Sequence, residues 1–478
     1  MNEAHTLCDL SAVELRRLIG TKAISPVAVL ESCLERIDAV NPKLNAITAT
    51  CIDRARAEAK TAETAALEGE ALGPLHGLPI GIKDLQETEG VTTTFGSKLY
   101  EHNVPARDER TVAAVRRAGA IVVGKTNVPE WGAGANTNNP VYGATGNPFA
   151  PDLICGGSSG GAAVALATSM LPLATGSDTG GSLRTPAAYC GVVGFRSTPG
   201  LVPSERRGHG WTPISVLGPM GRTVADTCLL LSAMVDSDTR DPFAHAVEPD
   251  DFVTPVPTDL ASLHLALSED LGFAPVAQTI RETFRERAPL VGTHFKSTSD
   301  TAPLLKGADE IFETIRAVNF LASHHERYEN NPESLGPNTR ANYEQGMAMS
   351  LADFAHAHMA QTKLYREAQA FFNEVDVLIC PGAAVSPFPW TQLYVEEIDG
   401  QKLRTYFHWL AITYGLTLLG HPVAAIPCGL DAHGLPFGIQ ICGPKNADRF
   451  VLGVAHALEL ALAANPATAR PVPDIESF

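Results

Sequence analysis

No two of the nine cysteines in this 478-residue chain stand in C-x-x-C spacing. An odd, scattered set makes no disulfide framework and fits reduced, mostly buried thiols in a cytoplasmic protein. There is no run of about 18 apolar residues, so no helix is expected to span a membrane. Met1-Asn2-Glu3-Ala4-His5 lacks the basic start of a secretory signal. Positive charge is scarce: 36 Lys+Arg stand against 53 Asp+Glu, a net −17. Such an acidic surface argues against nucleic acid or an anionic membrane as partner. Neither His324-His325 nor His356-x-His358 has the i, i+4 spacing of a helical zinc pair, and no cysteine cluster assists them, so no metal is expected. Internal repeats and low-complexity tracts are absent.

What is present is an ordinary globular composition, 45% hydrophobic and 19% charged, on a chain long enough to bury a sizeable core. Ser11-x-x-Glu14 opens a helix with a capping box, and Ser25-Pro26 opens a second, which Asn41-Pro42 should stop. A charged, Ala-rich helix covers Asp53 to Glu68. Leu78, Ile80 and Ile82 alternate like one face of a strand that ends at Lys83 and Asp84. Val112, Val115 and Ala118 form a helical stripe, and Ala120 to Val123 read as a buried strand. Strand and helix patterns alternate to about residue 235, which indicates an α/β fold. Residues 236 to about 260 read as loop, and Ala308 to Val375 as mostly helix. The α/β pattern then resumes with strand Asp376–Cys380, helix Leu403–Leu418, strands Val423–Cys428 and Phe437–Cys442, and helix Ala447–Ala461. Length alone would allow three domains. The resumed pattern instead predicts one unit over 1–478, with a mostly helical insertion at 240–375.

Two short patterns invite error. Gly119-Ala-Ile-Val-Val-Gly124-Lys125-Thr126 matches the phosphate-loop formula, but its central residues read as a strand and Pro129 breaks the helix that should start at Lys125-Thr126. Gly156-Gly157-Ser158-Ser159-Gly160 matches a nucleophile elbow, with Ser158 as nucleophile and Asp376 and His421 as available partners. A third pattern is larger. The first glycine-serine stretch is followed by Gly176-Ser-Asp-Thr-Gly-Gly-Ser-Leu-Arg184, whose glycines allow several backbone N–H groups to converge beside a hydroxyl. Acyl transfer needs that pairing of nucleophile and oxyanion donors. The base can come from Lys83, since burial disfavours an ammonium and leaves a neutral amine.

These motifs resemble the amidase signature hydrolases. The resemblance extends through Gly77–Asp84, Gly124–Glu130, Gly146–Pro148, both glycine-serine stretches, Cys190–Gly194, Gly218–Asp226 and Gly434–Gly443, in order and at matching spacing. It implies a mixed, twisted sheet covered by helices and a Ser–Ser–Lys triad. Ser182 matches the nucleophile, Ser158 the bridging serine at a non-proline cis peptide, and Lys83 the base. Backbone N–H groups of Thr179, Gly180, Gly181 and Ser182 match the oxyanion hole. Gly132 falls where family members line the substrate, and Asp178 and Arg184 would hold the loop's shape. The implied activity is hydrolysis of a carboxylic amide, small or aromatic, with esters and carbamates as further candidates. The implied cofactor is none, and a homodimer is an expectation from the family. Thr417, where relatives commonly carry Asn, and Cys155 depart from the pattern. Trp131, Trp211, Trp390 and Tyr414 are the aromatics available to shape specificity. The A subunit of a tRNA-dependent amidotransferase shares this core and stays an alternative, as does an esterase acting through Ser158 and His421. Tyr343–Met349 does not match the Tyr-rich segment of the amidotransferase chain.

Overall fold

The computed structural model describes residues 7–477; Met1–His5 lie outside them. Eleven strands form one sheet. In chain order they are Ile47–Thr50 (β1), Pro79–Lys83 (β2), Ile121–Thr126 (β3), Leu173–Asp178 (β4), Val193–Arg196 (β5), Val216–Gly221 (β6), His264–Leu267 (β7), Ser297–Ser299 (β8), Val377–Pro381 (β9), Val423–Leu430 (β10) and Pro436–Cys442 (β11). Side by side they run β1-β3-β2-β4-β6-β5-β10-β11-β9-β7-β8. Pairing is mixed. β2 is parallel to β3 and β4, and β7 to β8 and β9, while the other neighbours are antiparallel.

The helices are Ala12–Gly20 (α1), Pro26–Leu44 (α2), Ile52–Glu68 (α3), Arg110–Arg117 (α4), Gly160–Ala167 (α5), Arg184–Cys190 (α6), Val224–Met234 (α7), Gln278–Gly292 (α8), Ala308–Asn330 (α9), Pro337–Ala348 (α10), Leu351–Phe371 (α11), Ala411–Leu419 (α12) and Asp448–Ala463 (α13). Every residue of β2 and of α5 is buried. Central parallel strands are covered on both faces, so β2 shows no solvent face despite its alternating sequence. Lys83 at its end is therefore carried into the interior. None of the helices is long and apolar enough to cross a membrane, among the described residues.

Two expectations are corrected. α2 does not stop at Asn41-Pro42 but runs to Leu44, with Pro42 in its last turn. The Asn41 side chain accepts the N–H groups of Ala46 and Ile47, each at 2.8 Å, and Asn45 closes the helix at φ 52°. The helix expected from Leu403 begins only at Ala411. Before it, Glu397–Ile398 pairs with Gln401–Lys402 around Asp399-Gly400, both at positive φ, the turn geometry that Asp-Gly favours. The segment 240–375 is mostly helical, holding α8 to α11, and it also adds β7 and β8 to the edge of the sheet. Ser297–Ser299 is short and polar, so its sequence carries no strand signal.

Candidate active site

Parallel pairing sets Ile80 beside Leu173 and Gly81 beside Ala174, which brings the ends of β2 and β4 together. Lys83 is completely buried there. Its Nζ lies 2.9 Å from Ser158 Oγ, 2.7 Å from Ser159 Oγ and 2.9 Å from Ser177 Oγ. No carboxylate pairs with it among the described residues. Burial lowers its pKa to about 7, against a weaker opposing pull from Asp178. Loss of hydration disfavours the ammonium, so near neutral pH much of the group is a free amine.

Ser158 follows Gly157 through a cis peptide bond and is nearly buried. Ser182 is half-buried, and its carbonyl accepts the Ser159 N–H at 3.2 Å, which ties the two serine loops together. No hydrogen bond joins the Ser158 and Ser182 hydroxyls among the described residues. Contacts of this kind commonly tighten only when substrate binds.

Of the four N–H groups expected to converge, Gly181 is already engaged: it donates to Asp178 Oδ1 at 3.0 Å. Those of Thr179, Gly180 and Ser182 have no protein acceptor among the described residues. Gly181 has φ 121°, and a Cβ there would collide with Thr413, so only glycine fits. Gly132 also adopts a positive φ, 68°, and a Cβ on it would stand 3.2 Å from Ser158 Oγ.

Asp178 anchors this loop. Its carboxylate accepts Gly181 N–H, Leu183 N–H at 3.1 Å, and both Nε and Nη2 of Arg184 at 3.0 and 2.9 Å. Arg196, absent from the sequence expectation, adds Nη1 at 3.2 Å. Burial alone would raise the Asp178 pKa, but the Arg184 and Arg196 guanidiniums beside it outweigh burial and hold it well below the usual carboxylate range. Thr417, which stands where relatives commonly carry Asn, accepts Arg184 Nη2 at 2.8 Å. Replacing Asp178 by Ala leaves two buried guanidiniums without their counter-ion, and a broken buried pair costs about 3–5 kcal/mol. Urea unfolding of Asp178→Ala is expected to show a loss of that size. A loss below about 1 kcal/mol, the range of an exposed pair, would contradict this account.

A cavity of about 440 Å³ opens beside the cluster. Its lining includes neither Ser158 nor Ser182, but it includes Ser177, which shares Lys83 with Ser158, Thr179, three residues before Ser182, and Trp131, which precedes Gly132. Of the four aromatics named from sequence, only Trp131 lines it; Trp211 is largely exposed, and Tyr414 stacks on Phe312.

The other candidates lie apart. Residues 121–126 of the phosphate-loop match are β3 itself, and Lys125 Nζ donates to Gln86 O and Thr88 Oγ1. The strand before Ser158, Ala150–Ile154, belongs to a separate two-stranded pair and not to the main sheet an elbow requires. His421 contacts Gln369 and Gly443 O, and Asp376 accepts the His264 N–H; neither bonds to Ser158 among the described residues. All nine cysteines are free. Cys155 is buried, which pushes its thiol up to about 12 and leaves it unreactive. Among the described residues no three His, Cys, Asp or Glu gather as a metal site. His324 packs against Trp131, and His325 bonds to Tyr343 OH.

The Amidase family model matches residues 28–452. The chain is 33% identical to the acylamidase of Rhodococcus erythropolis over 94% of this chain and 95% of that one. It is 31% identical to the A subunit of the glutamyl-tRNA(Gln) amidotransferase of Thermosynechococcus vestitus, over 93% and 96%. A bacterial aryl acylamidase of the amidase signature family superposes with a TM-score of 0.88 at 27% identity, covering 96% of both chains. The chain belongs to the amidase family, enzymes that hydrolyse carbon–nitrogen bonds.

Proposed function

We propose that this chain hydrolyses carboxylic amides as a stand-alone enzyme, through an acyl-enzyme on Ser182. The observation that carries this is Lys83: a fully buried amine with no carboxylate partner among the described residues, 2.9 Å from the Ser158 hydroxyl. In the proposed sequence Ser182 Oγ attacks the amide carbonyl while its proton passes to Ser158 and the Ser158 proton to Lys83 Nζ. The N–H groups of Thr179, Gly180 and Ser182 receive the oxyanion; one such donor is typically worth about 3 kcal/mol. Gly181 serves by conformation, since its N–H holds Asp178. The Lys83 ammonium returns a proton through Ser158 to the leaving amine. Water then repeats the relay and releases the carboxylate.

The test is a serine-directed phosphonate probe followed by peptide mapping. The expected adduct is on Ser182. An adduct on Ser158 would overturn the assignment and require another base.

The near-equal likeness to amidotransferase A subunits gives a second reading, in which the chain works only inside a multi-chain complex. Anilide turnover by the purified chain alone is the expected result. Activity only after a partner is added would favour the amidotransferase reading.

A further inference from the structure

The far wall of the cavity is formed by one face of α9. Arg316, Asn319, Ser323 and Arg327 line it at helical spacing, and Phe312 stands one turn before them on the same helix. Phe312 caps the serine loop: its ring would stand 3.0 Å from a Cβ on Gly180. Arg316 lies one turn further along, a rise of about 6 Å.

Arg316 is only 6% exposed, yet it forms no ion pair among the described residues. The acid one turn before it, Glu313, pairs with Arg404 instead. Asn342 Oδ1 accepts Arg316 Nε at 3.2 Å and Tyr406 OH accepts Nη2 at 2.7 Å, while the rings of Phe320 and Phe407 lie 4.7 and 5.0 Å from the guanidinium carbon. These contacts fix its direction and leave Nη1 without an acceptor among the described residues. Arg327 likewise has no carboxylate partner among the described residues; its Nη1 and Nη2 donate to Ser323 O and Tyr100 OH, and its Nε is buried without a partner among them. Trp131 Nε1 and His324 Nδ1, on the same lining, are also buried and unpaired. The other two arginines there are neutralised, Arg206 by Glu87 and Arg207 by Asp241. The only carboxyl on the lining, Glu109, accepts the Glu87 N–H. An acidic protein thus keeps two uncompensated cations in an aromatic-lined cavity beside its serine cluster. Arg327 is partly exposed, but Arg316 is buried, and a buried cation is costly unless an anion completes it.

We propose that this wall is a subsite for an anionic substituent of the substrate, a carboxylate about one helical turn from the scissile carbonyl, received by Arg316 with Arg327 further along. The proposal rests on the amide-hydrolase reading of Ser182 and adds the charge of its substrate. Guanidinium N–H groups suit a carboxylate in geometry as well as charge.

The monoanilide of glutaric acid (glutaranilide below) and pentananilide test it, since their acyl chains match in length and differ in the terminal carboxylate. The wild-type enzyme is expected to favour glutaranilide at least tenfold in kcat/KM, mainly through KM. Arg316→Met should bring that ratio close to one, and Arg316→Lys should retain part of it. The ratio is taken within each enzyme, so a loss of folded protein divides out. A merely structural arginine would slow both substrates and leave the ratio unchanged. Turnover of pentananilide with no preference for glutaranilide would overturn the proposal. Calorimetric titration with glutarate separates it from the hydrolase reading. Glutarate binding weakened at least tenfold by Arg316→Met, in a protein that cleaves neither anilide, would sustain the subsite and refute the hydrolase. Glutarate binding that is absent, or indifferent to Arg316→Met, would refute the subsite whatever the turnover.

Discussion

Ser182→Ala is expected to lower kcat/KM for an anilide by a factor on the order of 10⁶, the loss seen when a serine nucleophile is removed from an acyl-transfer site. No neighbour can take over. Ser159 and Ser177 hydroxyls are engaged by Lys83, and Ser158 is nearly buried with the same lysine on its oxygen. The fold should not register the change. Ser182 is half-buried, its hydroxyl has no hydrogen-bond partner among the described residues, and its structural contact runs through the backbone carbonyl. Such substitutions usually fall within about 0.5 kcal/mol of wild type. The measurement is steady-state turnover beside a urea unfolding curve. A variant within tenfold of wild type would remove Ser182 from the chemistry and return attention to Ser158.

Much of this site can be read in the sequence because its residues sit in motifs whose local geometry is fixed nearby. The glycine-serine stretch before Arg184 places a nest, a hydroxyl and Asp178 within seven residues. Lys83 ends an apolar run, and burial follows from where such a run packs. Contacts across the sheet are less visible. Arg196 reaches Asp178 because β5 and β4 both flank β6, a fact of strand order that no local pattern encodes. Ser177 joins Lys83 because β4 lies beside β2, and Ser159 arrives from the loop that precedes α5. Arg316 shows the limit well. Glu313 stands three residues before it, a spacing at which helical ion pairs can form. Only the packed structure shows Glu313 turned toward Arg404 and Arg316 left facing the cavity. The errors in the helices near Pro42 and Leu403 are likewise local signals overruled, one by an asparagine side chain and the other by a short Asp-Gly turn.

Lys83→Met is expected to lower kcat/KM by about 10²–10⁴, the usual worth of a general base, and the pH dependence of the residual activity distinguishes a base from a structural lysine. In the wild type the working form is the neutral amine. With a pKa of about 7, half of it is present at pH 7 and about one-tenth at pH 6, so kcat/KM should fall tenfold per unit on the acid side. Methionine has no such titration, and the acid limb should disappear with the activity. Stability moves by a separate rule. The folded pKa lies below the ordinary value of 10.5, so the unfolded chain binds more protons between about 7 and 10.5. Burial of Lys83 therefore carries no penalty above 10.5. The penalty grows as pH falls through that window and is constant below about 7. Methionine, of similar length and uncharged, escapes it. Unfolding curves of the two proteins should thus converge as pH rises from 7 toward 10.5, relative to their separation at pH 7. A wild-type acid limb that persists in Lys83→Met would assign the titration to another group. A separation independent of pH would show that Lys83 is buried with its proton, and the base would have to be sought elsewhere.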